Sequence, residues 1–286
     1  MKAGFIGLGS MGAAMARNVA KAGWLDSVWN RTPATAEALA RELGVTRAAS
    51  PAELAAQVDV ILICVSADAD VMAVIQQLWP GLKAGQTVVD LSTVSRDTAV
   101  EAARIVQTKG ADFLDAPVTG GMEGARNGTL AIMVGGAAAT LEKVRSILAA
   151  MGQRVTHMGD TGSGQAAKAV NQVMCAGINE AVTEALAFGA RLGLDMGKLI
   201  DVISGGAAGN WFLEKRGPTM TRGTFQPGFK LALHHKDLEI CRAMAESLDT
   251  RLPLVDMTLE HYRQLMTEGH GDEDISALYR LKRPLE

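Results

Sequence analysis

The sequence Ala3-Gly4-Phe5-Ile6-Gly7-Leu8-Gly9-Ser10-Met11-Gly12 joins a short apolar run to a Gly-x-Gly-x-x-Gly pattern, and Ala14, Met15, Val19 and Ala20 continue it at helical spacing. Strand, glycine turn and helix thus follow in the order that a dinucleotide-binding βαβ unit requires. The three glycines serve three different needs, which are a tight turn, close approach of the backbone to a pyrophosphate, and close packing of helix on strand. The helix start adds free amides and the positive end of its dipole. Gly7, Leu8, Gly9, Ser10, Met11 and Gly12 are therefore the first candidate cofactor contacts.

The second strand is expected over Leu25 to Trp29, and its end selects the dinucleotide. A site made for NAD places a carboxylate there for the ribose hydroxyls, whereas this chain has Asn30-Arg31-Thr32. A guanidinium and two neutral donors favour a 2′-phosphate, so NADP is the expected cofactor and NAD the alternative. Asp26, the nearest carboxylate, falls too early in the strand. Pro33 to Leu43 reads as a helix with Thr32 as its cap, and Ser50-Pro51 opens another.

Val58 to Val65 is a continuous apolar run rich in β-branched residues, the pattern of a central parallel strand covered on both faces. Ligands of open α/β sheets bind beyond the carboxyl ends of strands, which makes Val65 and Ser66 candidates for backbone contact with the cofactor. Thr87 to Leu91 repeats this geometry, and its end carries Thr93, a cofactor contact or a helix cap. Phe113 to Ala116 leads into Thr119-Gly120-Gly121, where a hydroxyl and backbone amides suit a carboxylate. Leu130 to Val134, a helix over Ala138 to Ala149, and Val155 to Met158 complete the alternation.

From Gly162 onward the strand signals stop and only helical periodicity remains. The fold expected is an α/β Rossmann-like N-terminal domain over residues 1–160, then an all-α C-terminal domain over 161–286 built on a long interdomain helix. That helix runs from Gly162 to about Leu192, with Ala166, Val170, Val173, Met174, Ile178, Val182, Leu186 and Phe188 around it. A helix apolar all round is a buried one. Lys168 inside it loses hydration, a setting that suits general acid-base work, and Asn171 and Gln172 lie three and four residues on. Further helices are expected around Lys198 to Ile203, Trp211 to Arg216, Leu238 to Leu248 and Leu254 to Glu268. Phe229 to Leu238 is the last informative stretch: Lys236 and Asp237 at a helix start serve either a ligand or simple capping.

Bulk properties narrow the function classes. The net charge of −3, with no basic run, leaves no footprint for nucleic acid. Cys64, Cys175 and Cys241 lie far apart in apolar segments and read as small core residues of a cytoplasmic protein. Adjacent His234 and His235 lack a second pair at ligand spacing, so no metal is expected. No apolar run spans a membrane, and Lys2 to Ile6 read as a strand rather than a signal peptide, so the mature chain is expected to start at Met1.

Four spaced motifs together resemble the β-hydroxyacid dehydrogenases: Gly7-Leu-Gly9-Ser-Met11-Gly12, Asp115-Ala-Pro-Val-Thr119-Gly120-Gly121, Gly162-Ser-Gly164 with Lys168 and Asn171, and Lys236-Asp237-Leu238. The resemblance covers essentially the whole chain. It implies an active site in a cleft between the two domains, Lys168 as catalytic acid/base, and Thr119, Gly120 and Gly121 as the seat of the substrate carboxylate. Thr93 and Lys236 match cofactor contacts, while Phe229 and Asp237 match positions tied to the active site in the glyoxylate/succinic semialdehyde reductase branch. Two departures stand out: Gln172 where a second asparagine is common, and Thr119 where serine is common. The family is also implied to form dimers or tetramers. The expected reaction is reduction of a small semialdehyde or 2-oxo acid with NADPH, Lys168 donating the proton and Asn171 or Gln172 holding the reacting oxygen. The competing readings are an NAD-dependent 3-hydroxyacid dehydrogenase, an imine reductase, a phosphogluconate-type decarboxylase, and a dinucleotide-binding protein without turnover.

Overall fold

In the computed structural model, which describes residues 1–282, the chain divides into two compact units, Met1–Lys168 and Ala169–Glu286. The first begins β1 (Ala3–Ile6), α1 (Ser10–Lys21), β2 (Leu25–Trp29), α2 (Pro33–Leu43), β3 (Thr46–Arg47), α3 (Pro51–Gln57), β4 (Val60–Ile63) and α4 (Asp68–Leu78). It continues with β5 (Thr87–Asp90), α5 (Arg96–Gln107), β6 (Asp112–Asp115), β7 (Val118–Thr119), α6 (Gly121–Asn127), β8 (Leu130–Gly135), α7 (Ala138–Ala149) and β9 (Gly152–Gly159). All the strands belong to one nine-stranded sheet in the order β3-β2-β1-β4-β5-β6-β8-β7, with β9 paired to β8. The pairs from β3 to β6 are parallel, and β8 runs antiparallel to β6 and β7. The order β3-β2-β1-β4-β5-β6 is that of a doubly wound dinucleotide-binding sheet, whose switch point lies between β1 and β4.

The strands sort their side chains by parity, as the period of two demands. Phe5, Leu62, Val89 and Leu114 pack on one face with Met15 and Val19 of α1 and Val144 and Leu148 of α7. Ile6, Ile61, Ile63, Val88 and Phe113 pack on the other with Leu54, Val71, Ile75, Ala102 and Val106 of α3, α4 and α5. Both faces are covered, which is why β4 reads as an unbroken apolar run. That strand is shorter at both ends than the expected Val58 to Val65, and the Val65 amide bonds Ser92 Oγ instead of a neighbouring strand.

The second unit is helical: most of α8 (Ser163–Arg191), then α9 (Met196–Ser204), α10 (Trp211–Met220), α11 (Leu231–Ser247) and α12 (Pro253–Thr267). Its core gathers Leu186, Leu213, Met220, Leu231, Leu238, Val255, Leu259, Tyr262 and Leu265. Buried Asn179 of α8 donates through Nδ2 to Tyr262 Oη (3.0 Å) and to the Ile275 carbonyl (2.9 Å), so its amide nitrogen has partners in that core.

Three expectations need correcting. Helix α8 is not buried all round: Val170, Met174 and Phe188 are 67, 62 and 66% exposed, so one side of it is an uncovered apolar stripe. Lys236 and Asp237 do not start a helix, since α11 begins at Leu231 and carries them in its second turn. Of the cysteines Cys241 is buried and Cys175 half-buried, while Cys64 is partly buried with its side chain packed against the core of the first unit. The division between the two compact units falls within α8, after Lys168. No described helix is long and apolar enough to cross a membrane.

Candidate active site

The glycine turn sits between the carboxyl end of β1 and the start of α1. Gly7 takes φ +89°, and a side chain there would run into the Cys64 carbonyl; one at Gly12 would run into the Gly7 carbonyl. Asn30 braces the turn from β2, its Oδ1 accepting the Leu8 amide at 2.9 Å and its Nδ2 donating to the Thr32 carbonyl at 3.3 Å. Helix α1 opens at Gly9 with no side-chain cap and no acidic residue in its first turn, which leaves its amides for an anion. Leu8, Gly9, Ser10, Ala13, Arg17, Met122 and Arg126 line a pocket of about 510 Å³. Open amides, a glycine floor and two guanidiniums at the wall fit the pyrophosphate of a dinucleotide. Arg31, 84% exposed, pairs with Asp70 at 2.8 Å.

The carboxyl ends of β5 and β6 are bound to the start of α8. Asp115 ends β6 and accepts the Gly162 amide (2.7 Å) on one oxygen and the Gln165 amide (2.9 Å) on the other. Gln165, 1% exposed, reaches the loop after β5: its Nε2 donates to the Ser92 carbonyl (2.8 Å) and its Oε1 accepts the Val94 amide (3.2 Å). Half-buried Thr93 lies between these two anchors, and Ser95 rather than Thr93 caps α5. Lys168 stands one turn beyond Gln165 and is 7% exposed. Asp115 and Gln165 thereby set where the helix bearing the lysine begins. Their pairing spans 47 to 73 residues of sequence, and no local pattern announces it.

Beneath this loop, Asp90 is fully buried, accepts the Ser92 amide at 3.0 Å on Oδ1 and leaves Oδ2 without a hydrogen-bond partner. Burial, opposed by the Ser92 hydrogen bonds, pushes its carboxyl up to about 7. Asp115 is likewise raised by burial, with its amide partners pulling the other way. Val65, expected to offer its backbone to the cofactor, gives its amide to Ser92 Oγ at 2.9 Å, and Ser66 is exposed. The Thr119 turn closes β7 with Gly120 at φ +127° and Gly121 at φ +62°. It leads into α6, whose Met122 and Arg126 share the pocket with Gly9 and Ser10.

In the second unit, Gln172 is buried with both ends of its amide paired: Nε2 donates to Asp237 Oδ2 at 2.7 Å and Oε1 accepts Asn171 Nδ2 at 2.8 Å. Lys236 Nζ holds the other oxygen of Asp237 at 2.8 Å. Gln172 thus joins Asn171 to Asp237 within the second unit. Half-buried Phe229 is fixed by its amide to Asp274 (3.0 Å), an anchor the sequence does not disclose, and its ring stands 5.3 Å from that of His234. His234 is buried against Tyr262 Oη (3.0 Å) and serves packing. Among the described residues no cluster of His, Cys, Asp and Glu is arranged to hold a metal.

The strand order and glycine turn define a dinucleotide-binding fold. Residues 2–159 match the family described as the NAD binding domain of 6-phosphogluconate dehydrogenase, and residues 162–282 the NAD-binding domain of NADP-dependent 3-hydroxyisobutyrate dehydrogenase. The chain is 39% identical to 2-hydroxy-3-oxopropionate reductase of Escherichia coli, over 97% of this chain and 96% of that one. It is 32% identical to the NAD-dependent L-serine dehydrogenase of Pseudomonas aeruginosa, over 99% and 98%. A structure of Mycobacterium tuberculosis 3-hydroxyisobutyrate dehydrogenase with L-serine superposes with a TM-score of 0.89 at 31% identity, covering 99% of both chains. The chain belongs to the β-hydroxyacid dehydrogenase family and is an NAD(P)-dependent dehydrogenase acting on CH–OH donors.

Proposed function

We propose that the protein uses NADPH to reduce a short semialdehyde or 2-oxo acid, of the glyoxylate or succinic semialdehyde type, to the hydroxy acid. The observation that carries this reading is Lys168: a buried lysine one turn from Gln165, on a helix whose start is tied to the ligand-side ends of β5 and β6. When bound, the nicotinamide supplies the hydride. Lys168 gives its proton to the carbonyl oxygen as negative charge gathers there, and in the reverse direction neutral Lys168 takes the hydroxyl proton. The Thr119 hydroxyl and the amides of Gly120 and Gly121 seat the substrate carboxylate. Asn171, three residues beyond Lys168 and thus on its side of the helix, contacts the substrate. Phe229 and Lys236 serve the substrate and cofactor respectively, as the family resemblance implies.

NADP preference follows from Asn30-Arg31-Thr32. The Arg31 guanidinium, held by an exposed ion pair with Asp70, exchanges that weak partner for the 2′-phosphate. The kinship with 2-hydroxy-3-oxopropionate reductase supports a three-carbon aldehyde among the substrates. The thiols stay reduced, as suits a cytoplasmic enzyme. A second copy of the chain covers the exposed stripe of α8.

The test is the loss of NADPH absorbance against glyoxylate, succinic semialdehyde, methylmalonate semialdehyde and 2-hydroxy-3-oxopropionate, repeated with NADH and with Arg31→Ala. The expected result is turnover with NADPH well above NADH, and a preference cut about tenfold or more by Arg31→Ala, the loss of one charge-assisted contact. Turnover with NADH alone moves the protein to the serine or 3-hydroxyisobutyrate type, and turnover with neither cofactor overturns the reading.

A further inference from the structure

Asp237, Gln172 and Asn171 form one chain of hydrogen bonds with a fixed sense. The Lys236 ammonium on Oδ1 leaves the Asp237 carboxylate as an acceptor on Oδ2. Gln172 must then present its amide nitrogen to Asp237, which turns its carbonyl oxygen to Asn171. Asn171 must in turn present its nitrogen to Gln172, and Nδ2 also lies 3.5 Å from Cys175 Sγ. Asn171 Oδ1 is then the atom at the far end of the chain from Asp237. A primary amide has two faces of opposite character, and here a buried charge two residues away selects which one is offered.

We propose that Asp237 is a positioning residue, acting through Gln172 to hold Asn171 with its carbonyl oxygen outward, so that the site offers an acceptor to the hydroxyl of the hydroxy acid rather than a donor to the carbonyl of the aldehyde. This rests on the reading of Lys168 and Asn171 as the reacting face of α8. The extra methylene of Gln172, compared with the asparagine common at that place, lets it span from Asn171 to Asp237. Proton donation to the carbonyl is then left to Lys168 alone, and Asn171 distinguishes the alcohol from the carbonyl form.

The sense of the chain can be reversed by one atom. In Asp237→Asn, Lys236 keeps the carbonyl oxygen of the new amide, whose nitrogen turns to Gln172; Gln172 and then Asn171 turn over, and a donor faces outward. With cofactor saturating, KM for the hydroxy acid should rise about tenfold, the worth of one hydrogen bond, while KM for the aldehyde does not rise. The double variant Asp237→Asn/Gln172→Glu returns the original sense, because the new carboxylate accepts from both neighbours, and should restore the hydroxy-acid KM. A loss of packing alone would move both KM values together and would not be repaired. If Asp237→Asn does not fold, Gln172→Met, which cuts the chain and leaves Asp237 with Lys236, must still raise the hydroxy-acid KM. Equal changes in both KM values, no change, or no repair in the double variant overturns the proposal. Asn171→Ala separates the two levels: an unchanged hydroxy-acid KM there removes Asn171 from the site altogether, whereas a raised one beside a normal Asp237→Asn rejects only the relay.

Discussion

Asp90 shows what a single residue holds in reserve. Its carboxyl is pushed up to about 7 by burial beneath the loop that bears Thr93, so the folded protein keeps a proton that the unfolded chain releases near pH ~4. A raised folded value means stability that is complete below the unfolded range and is lost as the pH climbs to about 7. Asp90→Asn resembles the protonated form and removes this slope. Its melting temperature should match that of the wild type near pH ~4 and exceed it by a growing margin up to about pH 8; a constant difference across that range would contradict the assignment. Cys64, pushed up to about 12 by burial and the nearby Asp90 charge, should resist alkylation in the native protein at mildly alkaline pH, as peptide mass mapping would reveal. Neither property is legible in the sequence. Lys168 is legible there, because an isolated cation in an apolar helical pattern is a local signal. Asp90 and Asp115 look like ordinary strand-end acids until their burial is known.

At the scale of elements, the sequence discloses what repeats locally and hides what is joined across the chain. The glycine turn, the second strand over Leu25–Trp29 and the helix over Ala138–Ala149 carry their own periodicity and fall where expected. The start of α11 is hidden because its first turn, Leu231-Ala232-Leu233, has no capping side chain, and the charges of Lys236 and Asp237 imitate a start further on. The apolar circumference of α8 imitates burial, since composition cannot tell a covered face from an exposed one. Gln165 is the joint that makes the start of α8 part of the site. Gln165→Leu leaves the Ser92 carbonyl and the Val94 amide unpaired in a buried place and should cost about 2 kcal/mol of stability by denaturant unfolding. It should also lower kcat about tenfold as the Thr93 loop loosens against Lys168. A variant as stable and active as the wild type would show that Asp115 alone holds the helix start.

For the whole molecule, the stripe along α8 through Val170, Met174, Phe188 and, just beyond the helix, Leu192 is an exposed apolar feature with no explanation among the described residues. It extends about 33 Å at the rise of an α-helix, enough for a helix pair between two copies. Met174→Lys with Phe188→Asp should halve the mass seen by sedimentation while the far-ultraviolet circular dichroism is kept. An unchanged mass would assign the stripe to some other cover. Fold and cofactor class are readable from the sequence because each is written in spaced motifs; the substrate is not, because its pocket depends on side chains brought together from distant segments.

Central to the account is Lys168 as the group that moves the proton. The direct measurement is single-turnover reduction by Lys168→Ala with NADPH saturating and a substrate to which the wild type responds. The chemical step should slow by about a thousandfold, within the span expected for loss of a general acid. NADPH affinity should be unchanged. A chemical step near the wild-type rate would contradict the mechanism, whatever the cofactor and substrate prove to be.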